Sequence, residues 1–343
     1  MASKARGLAN LGNAFDDGAL SNRNKIINGA MVIDQRNAGA AVTPSSVAQY
    51  TVDRFICIGT QASKLTYQQV TDAPAGFVYS FKSLVASAAT PSSSDQFRFG
   101  QPIEGINTAD FGWGTASAQA ATISFRAKAS IAGTYSVALW NSANGRSYVT
   151  TVSLTTSWAS YSFTVPGDTS GTWGAGNGTG IELIFDLGGG SDWVAPANNA
   201  WQAGNYFKAA GSISLVSNAA ATLNITGVQL EAGDTATPFE HRSYGQELAL
   251  CQRYYETGIT GGSGGLSNGT GYTGGTVIYS ATKRASPTLT QSNQGYTQVF
   301  NNNIVLGNTG SSAAATAQGF CHHVINGGSA TNYVFVYTAV AEL

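Results

Sequence analysis

Apolar and polar residues alternate along most of the chain between residues 51 and 240. Ile123 and Phe125 flank Ser124, for example, and the stretch 161–165 repeats the pattern with Tyr, Phe and Val. A period of two residues places the apolar side chains on one face of a β-strand. Clusters of Gly, Asn, Ser and Pro separate these runs, which favours antiparallel sheets packed face to face. The pattern therefore predicts an all-β protein whose main domain, 51–240, is a β-sandwich with jelly-roll topology.

Shorter strand-like runs stand on either side of this domain. After a glycine-rich loop, stretches such as "TVIYSATKR" and "NYVFVYTAVAEL" predict about five strands, so we expect residues 259–343 to form a smaller C-terminal β domain. Before the sandwich, residues 25–50 contain Asn28-Gly29, a dipeptide typical of tight hairpin turns. We interpret 25–50 as a short β segment and linker.

Helix formers cluster in a single stretch, "TPFEHRSYGQELALCQRYYE". Tyr244, Leu248, Cys251 and Tyr255 fall four, three and four residues apart there, so a helix places them along one stripe. Two interpretations remain open: a short helix packed on its own sandwich, or a seam where copies of the chain meet. We expect a helical neck over 241–258, with these four residues as candidates for contacts between copies.

The polar N-terminal stretch 1–24 carries Leu8, Leu11 and Phe15 at helical spacing, although two glycines disfavour an isolated helix. Such a segment is expected to become ordered only against a partner. It lacks the apolar core of a secretory signal, and no run in the chain approaches the length of a membrane span. We expect the protein to fold in the cell that makes it, without membrane insertion, and to leave by another route.

Composition narrows the class of protein. Charged residues make up only 10% of the chain, against roughly a quarter in ordinary soluble domains, and 42 residues are glycine. This is typical of an extracellular or particle-borne β protein. The net charge is −1 and no run of Lys and Arg occurs, which argues against nucleic acid or an anionic membrane as a partner. Cys57, Cys251 and Cys321 are odd in number and far apart, so we expect free thiols.

A family resemblance lies in three stretches: "NKIINGAMVIDQR", "YTVDRF" and "ITGVQLEAGDTATPFEHRSYGQELALCQRYYE". They are similar to the recurring framework of bacteriophage tail-fibre and related virion surface proteins. In that family the part before the helical segment resembles a carbohydrate-binding-module-like jelly roll, and the part after it varies. The stretch 1–24 is similar to the leader by which such proteins attach to the particle, which makes Leu8, Leu11 and Phe15 candidate attachment residues.

The resemblance implies a homotrimeric adhesin of the virion, made in the host cytoplasm. Its N-terminus would bind other tail or capsid proteins, and its C-terminal tip would contact a glycan or protein on the host surface.

Tryptophan offers the clearest ligand chemistry, since all six tryptophans lie between residues 113 and 201. Sugars pack their apolar ring faces on flat aromatic side chains while Asn and Asp satisfy their hydroxyls. The alternative is that large aromatics fill the core, which we favour for Trp140 and Trp158 because both stand inside strand runs. The candidate glycan-binding residues, all in or beside expected loops, are Trp173, Trp193, Trp201, Asn177, Asp192 and Asn199.

Loops of the C-terminal domain offer a second candidate surface, because loops on a rigid scaffold often carry binding function. The candidate receptor contacts are Tyr272, Tyr296, Asn301, Asn302 and Asn303, although they fit solvated turns equally well. In the strand-like "CHHV", His322 or His323 is a candidate metal ligand if repeated around a threefold axis, although such histidines are usually packed or exposed.

Enzyme motifs give no positive signal. A glycan-degrading enzyme needs two carboxylates flanking the scissile bond, and the sequence does not single out pairs such as Asp186 with Asp192 or Glu231 with Asp234. Glu231 and Asp234 are expected to shape a turn or, as an alternative, to help hold a calcium ion. We expect no enzymatic activity and no other cofactor.

The sequence therefore predicts a non-enzymatic phage tail fibre or virion fibre that recognises the host surface. Two alternatives remain open. One is a glycan-degrading tailspike, and the other is a purely structural adaptor or decoration fibre whose tip contacts other virion proteins.

Overall fold

The computed structural model describes residues 22–44, 48–141, 143, 145–264, 270–293, 304–306, 315–327 and 331–343. For 262–264, 270–275, 293, 304–306, 323–327 and 331–334 it describes the backbone alone. By contacts between its residues the chain divides into two units, Met1–Arg242 and Ser243–Leu343.

Twelve strands are described in the first unit, and they form two antiparallel sheets. The strands are β1 (Ala48–Tyr50), β2 (Ile56–Gly59), β3 (Leu65–Val70), β4 (Ser80–Val85), β5 (Phe97–Glu104), β6 (Ala121–Ala129), β7 (Gly133–Asn141), β8 (Arg146–Leu154), β9 (Ala159–Val165), β10 (Thr179–Asp186), β11 (Trp201–Ala203) and β12 (Thr222–Ala232). One sheet has the order β1-β2-β5-β10-β7-β8-β11, and the other has the order β3-β4-β12-β6-β9. Consecutive strands such as β5, β6 and β7 alternate between the two sheets, as in a jelly roll.

The two sheets pack face to face around one apolar core. Alternation along the strands places Ile123 and Phe125 of β6 in this core together with Leu183 and Phe185 of β10. The rings of Phe125 and Phe185 lie edge to face with centroids 5.2 Å apart, and Phe99 of β5 stacks on Phe185 at 5.1 Å. Full burial of each such side chain contributes about 1.5–3 kcal/mol. The predicted all-β fold with a β-sandwich as its main part is confirmed.

The segment before β1 belongs to the sandwich. Ile26 and Met31 are buried in the core, and the N–H of Val228 in β12 donates to the Gly29 carbonyl at 3.0 Å. A side chain at Gly29 would approach the Val228 carbonyl oxygen to 2.1 Å, so this close approach requires glycine. The stretch 25–50, which we interpreted as a short β segment and linker, packs in the described part of its length into the first unit.

The chain covers part of the outer face of the seven-stranded sheet with the segment between β10 and β12. Trp140 of β7 is 4% exposed and stacks with Phe207 at 6.1 Å between centroids, and Trp193 lies against both rings. Arg98 pairs with Glu182 and its guanidinium lies 4.8 Å from the Trp140 ring centroid. This part of the face is therefore closed by the protein itself.

The second unit contains one described helix and six described strands. They are α1 (Tyr244–Gln252), β13 (Tyr255–Gly264), β14 (Thr270–Ile278), β15 (Thr288–Asn293), β16 (Ile304–Leu306), β17 (Gly319–Gly327) and β18 (Thr331–Val340). The strands form two antiparallel sheets of three, β13-β18-β15 and β14-β17-β16. Across the described ranges, no helix has the length and apolar character needed to span a bilayer. The three cysteines are free thiols.

A capping box starts the helix. The Ser243 side chain accepts from the Gln246 N–H, and the Gln246 side chain accepts from the Ser243 N–H. This reciprocal pair satisfies two donors that a helix start otherwise leaves without partners. The helix ends at Gln252.

The helix is shorter than the spacing of its apolar residues indicates. Tyr255 is the first residue of β13 and pairs with Val340, so the four-residue helical stripe predicted through Tyr255 is wrong at its last member. Cys251 is buried inside the chain, Leu248 is half-buried and Tyr244 is 64% exposed.

A buried ion pair anchors the start of β13. Lys283 Nζ lies 2.6 Å from Glu256 Oε2, and the Tyr337 hydroxyl donates to Glu256 Oε1 at 3.0 Å. The Lys283 ammonium also donates to the carbonyls of Gln252 and Ala281. Burial lowers the pKa of Lys283, while the Glu256 carboxylate opposes that change.

Candidate functional site

Three tryptophans from separate loops and strands meet beside the carboxyl end of β5 and the amino end of β10. The rings of Trp113, Trp173 and Trp201 have centroids 4.8 to 5.3 Å apart, with planes 71 to 79° from one another. This is mutual edge-to-face packing. Tyr148 of β8 packs against Trp201 at 5.4 Å, and burial raises the pKa of its hydroxyl. Trp113, Trp173 and Trp201 are called the tryptophan cluster below.

The polar atoms of the cluster are satisfied within the protein. The indole N–H groups donate to backbone carbonyls, Trp113 to Gln119 at 2.7 Å, Trp173 to Ser170 at 3.1 Å and Trp201 to Pro166 at 2.7 Å. Trp113 is 7% exposed, whereas Trp173 and Trp201 are half-exposed. The cluster therefore presents the apolar surface of two rings supported by a buried third.

An ion pair fixes the loop that carries Trp173. Arg146 of β8 donates from Nε to Asp168 Oδ2 at 2.8 Å and from Nη2 to Oδ1 at 2.6 Å. The carboxylate also accepts from the Ser170 N–H at 3.1 Å, and the Gly114 N–H donates to the Asp168 backbone carbonyl at 2.7 Å. Two-point pairs of this kind are among the strong hydrogen-bonded contacts of proteins. The ion pair holds the Trp173 loop on β8, and the backbone bond from Gly114 ties that loop to the one that carries Trp113.

The glycine-rich loop "GTWGAGNGTG" packs its backbone directly against the turn after β5. The N–H of Gly105 donates to the Gly178 carbonyl and that of Ile106 to the Gly176 carbonyl, both at 2.9 Å. A side chain at Gly105 would approach the Gly174 carbonyl oxygen to 2.0 Å. Because the two backbones touch, the shape of this loop is set by the protein before any ligand binds.

A pocket lies between these loops and the cluster. Its empty space is about 310 Å³, counting the part open to solvent, and its lining consists of Thr108, Ala109, Trp113, Trp173, Gly174, Ala175 and Ile181. About half of the exposed lining is polar, so the pocket offers hydrogen-bonding atoms as well as apolar contact. Ile106, Asn107 and Asn177 stand on the same loops and are exposed. The half-exposed Trp173 indole beside this pocket offers an apolar surface on which a sugar ring can pack.

Three of the six predicted glycan-binding residues lie at this site. Trp173 and Trp201 meet in the tryptophan cluster, and Asn177 stands exposed on the adjoining loop.

The side chains of the other three predicted residues either serve contacts within the fold or lie beside the second aromatic group. Trp193 packs on the second aromatic group, and its N–H donates to the Ser94 carbonyl at 3.0 Å. Asp192 beside it is exposed. The side-chain oxygen of Asn199 accepts from the Thr150 hydroxyl at 2.6 Å. Asn199 therefore holds its own turn against β8.

Sequence reasoning did not single out Trp113 or the pair of Arg146 and Asp168. A signal for Trp113 was present, because Gly112 and Gly114 flank it much as glycines flank Trp173. No comparable signal existed for the ion pair, since its members lie on different elements.

Trp158 also departs from expectation. We placed it in the core with Trp140, but only Trp140 is buried. Trp158 is half-exposed because it directly precedes Ala159, which pairs with a core residue of β6, so the next side chain along the strand points the other way.

Several predicted residues fall outside this description. Leu8, Leu11, Phe15, Tyr296, Asn301, Asn302 and Asn303 lie outside the described residues, and for Tyr272 of β14 only the backbone is described. His322 is buried, with Nε2 3.1 Å from the Thr260 hydroxyl oxygen.

The acidic residues considered for catalysis or calcium serve other contacts. Glu231 accepts from the Thr237 N–H at 2.9 Å and from its hydroxyl at 2.6 Å, so it shapes the turn after β12, and Asp234 is exposed. Asp186 is buried 3.7 Å from Lys208, and burial raises the pKa of its carboxyl. Within the described ranges, no three His, Cys, Asp or Glu side chains are grouped to hold a metal ion.

Comparisons with known proteins give structural neighbours only. No protein-family model and no curated protein sequence matches the chain. A family 4 carbohydrate-binding module is 17% identical with a TM-score of 0.29, and the match covers 60% of this chain and 97% of that module. A family 11 carbohydrate-binding module from Clostridium thermocellum, in complex with a mixed-linked tetrasaccharide, is 14% identical with a TM-score of 0.29, covering 56% and 100%.

The enzymatically active domain of tailspike protein 4 from bacteriophage CBA120 is 12% identical with a TM-score of 0.31. The match covers 62% of this chain and 22% of the tailspike.

Proposed function

We propose that the protein is a fibre of a bacteriophage virion that binds a host-surface glycan through the tryptophan cluster and the pocket beside it. The observation that carries the glycan part is the preformed site, in which two half-exposed indoles rest on a buried third. Sugar rings pack on such aromatic surfaces, and a rigid site loses little free energy to ordering when it binds.

The virion part of the proposal is supported by the sequence resemblance. Its first and third stretches lie together in the fold. Arg242 donates to the carbonyls of Ile26 and Asn24, and Glu240 accepts from the N–H groups of Asn22 and Asn24. The shared framework therefore describes how this sandwich is built. Ligand choice is left to the loops of the tryptophan cluster, which the framework does not include.

The proposal includes a homotrimer, with the leader 1–24 bound to the particle. On α1, Tyr244 is 64% exposed and Leu248 is half-buried, and Tyr255 at the start of β13 is half-buried too, so these three members of the predicted neck keep surface that another copy can contact. Cys251 is buried within its own chain and is not among them.

The test is binding of the full-length protein to host cells and to an array of bacterial surface glycans, with released reducing sugar measured in the same wells. Trp173→Ala and Trp201→Ala should each weaken binding about tenfold or more, because each removes aromatic packing on the sugar. Trp193→Ala, a half-exposed tryptophan of the other aromatic group, is the matched control and should bind as the unaltered protein does. No sugar release is expected.

Unchanged binding by both cluster variants, with both folded, would contradict the glycan site. Release of reducing sugar would identify a glycan-degrading tailspike instead. Failure of the unaltered protein to bind cells or glycans would favour the structural fibre.

A further inference from the structure

Lys82 of β4 shares the outer face of the five-stranded sheet with two cations of β6, Arg126 and Lys128, that lie far from it in the sequence. The strand register pairs Lys82 of β4 and Lys128 of β6 with the same residue, Asn224 of β12. The two lysines are therefore two strand spacings apart, roughly 10 Å. Arg126 stands two residues before Lys128 and shares its face. Lys82, Arg126, Lys128 and the neighbouring Trp158 are called the basic face.

Two of these cations lack an ionic or hydrogen-bonding partner. Within the described part of the first unit, every other Lys and Arg forms an ion pair or a hydrogen bond. Lys82, which is half-buried, and Arg126, which is exposed, form neither. In a chain with so few charges, two unpaired cations on one face create a local positive potential that favours an anion.

Trp158 adds an aromatic surface whose orientation is fixed. Its indole N–H donates to Asp72 Oδ1 at 3.2 Å, while Lys128 Nζ lies 2.7 Å from Asp72 Oδ2 and 5.4 Å from the indole ring centroid. The hydrogen bond from Lys128 is the main reason that the pKa of Asp72 is lowered, with help from Trp158 and the charge of Lys82. Asp72 thus forms its ion pair with Lys128, while Arg126 and Lys82 form no ion pair within the fold.

We propose that the basic face binds an acidic glycan through a sugar ring that carries a carboxylate. The ring packs on Trp158 and its carboxylate is held by Lys82 and Arg126. The row of side chains across the sheet is fixed by the fold, because Asn224 is buried and donates to Ser80, and Gln68 of β3 pairs with Lys82 and donates to the Gly39 carbonyl. The inference rests on the proposed function only in taking a polysaccharide as the ligand class. Its residues are separate from the tryptophan cluster.

The test is titration calorimetry of the full-length protein at low salt with trigalacturonate, and with its fully methyl-esterified form as the uncharged counterpart. Lys82→Gln and Arg126→Gln should each weaken trigalacturonate binding about tenfold, because each removes a charged hydrogen bond. Neither side chain has a partner in the fold, so both variants should stay folded. Lys64→Gln removes the same charge from a lysine whose ammonium contacts Ser87 and the Ala88 carbonyl, and it should leave binding unchanged.

A second variant adds a charge without removing a contact. Ser160 is exposed and pairs with Arg126, so Ser160→Asp should compete with the ligand carboxylate and abolish measurable binding. Binding should also weaken as salt is raised, since exposed charges are screened.

Each other outcome overturns the inference. Equal binding of the acid and its ester would show that the carboxylate is not recognised. Loss of trigalacturonate binding on Trp173→Ala, but not on Lys82→Gln, would move the site to the tryptophan cluster. If trigalacturonate does not bind, and array glycans bind in a way that depends on Trp173, the basic face is not a binding site. The proposed function would then be unaffected.

Discussion

At the scale of single residues, the few charges of this chain are mostly committed to holding loops. Asp95 is an example: its carboxylate accepts from the Thr60 hydroxyl at 2.6 Å, from Gln61 at 2.8 Å, and from both the N–H and hydroxyl of Ser92 at 2.7 Å. These hydrogen bonds hold the pKa of Asp95 well below its ordinary value, and the one from Thr60 has the largest effect.

The lowered pKa of Asp95 makes the free energy of unfolding of the first unit depend on pH in the acid range. An unfolded Asp titrates near about pH 3.9, so the contribution of Asp95 is present above that pH and is lost as the pH falls toward the lower folded pKa. Asp95→Asn should therefore lower the urea midpoint at pH 7, followed by tryptophan fluorescence, and the deficit should shrink at pH 3. An equal deficit at both pH values would show that the ionised form is not preferentially stabilised.

Residue types alone gave only part of the candidate sites. Trp173 and Trp201 could be proposed because both stand in or beside expected loops, where an exposed tryptophan usually has a binding role. The basic face could not be proposed from the sequence, because Lys82 and Arg126 lie on β4 and β6 and come together only through their shared neighbour β12. A search for runs of positive charge along the chain finds no such cluster.

At the scale of elements, the glycine-rich loop matters through its backbone. Gly105→Ala would place a Cβ 2.0 Å from the Gly174 carbonyl oxygen, which must then move and carry the loop with it. Overpacking of this kind costs about 1–3 kcal/mol, so we expect glycan binding to fall and the unfolding temperature of the first unit to drop.

Gly176→Ala is the matched control in the same loop, because a Cβ there meets nothing within 4 Å. Calorimetry and glycan binding of the two variants give the comparison. Full binding by a folded Gly105→Ala protein would show that the loop does not shape the site.

Whether a segment forms a strand or a helix was predictable where the sequence pattern is local. The residues at which helices and strands end were not predictable. Alternation over β6 and β9 directly reports one inward face, and the structure confirms it, whereas β10 is buried on both faces because Ile184 lies under the segment that covers the outer face of its sheet. The end of α1 depends on a distant partner instead: Tyr255 and Glu256 join β13 because they pair with Val340 and Ala339 of β18. No helical spacing can reveal a competing strand that far along the chain.

At the scale of the whole molecule, the chain has two units with separate cores. The first core contains the sandwich residues described above, and the second consists of Val277, Tyr279, Phe320, Phe335, Tyr337 and Ala339. Each unit buries its own apolar surface, which is the condition for independent folding. All six tryptophans belong to the first unit, so their fluorescence reports on that unit alone.

The central claim is that the sandwich recognises the glycan. The most direct test compares the full chain with a version ending at Ser243, by affinity for the glycan that the array identifies, after tryptophan fluorescence has shown that the shorter chain unfolds cooperatively. The expected result is the same affinity for both proteins. Loss of binding by a folded shorter chain would place recognition in the second unit and contradict the account.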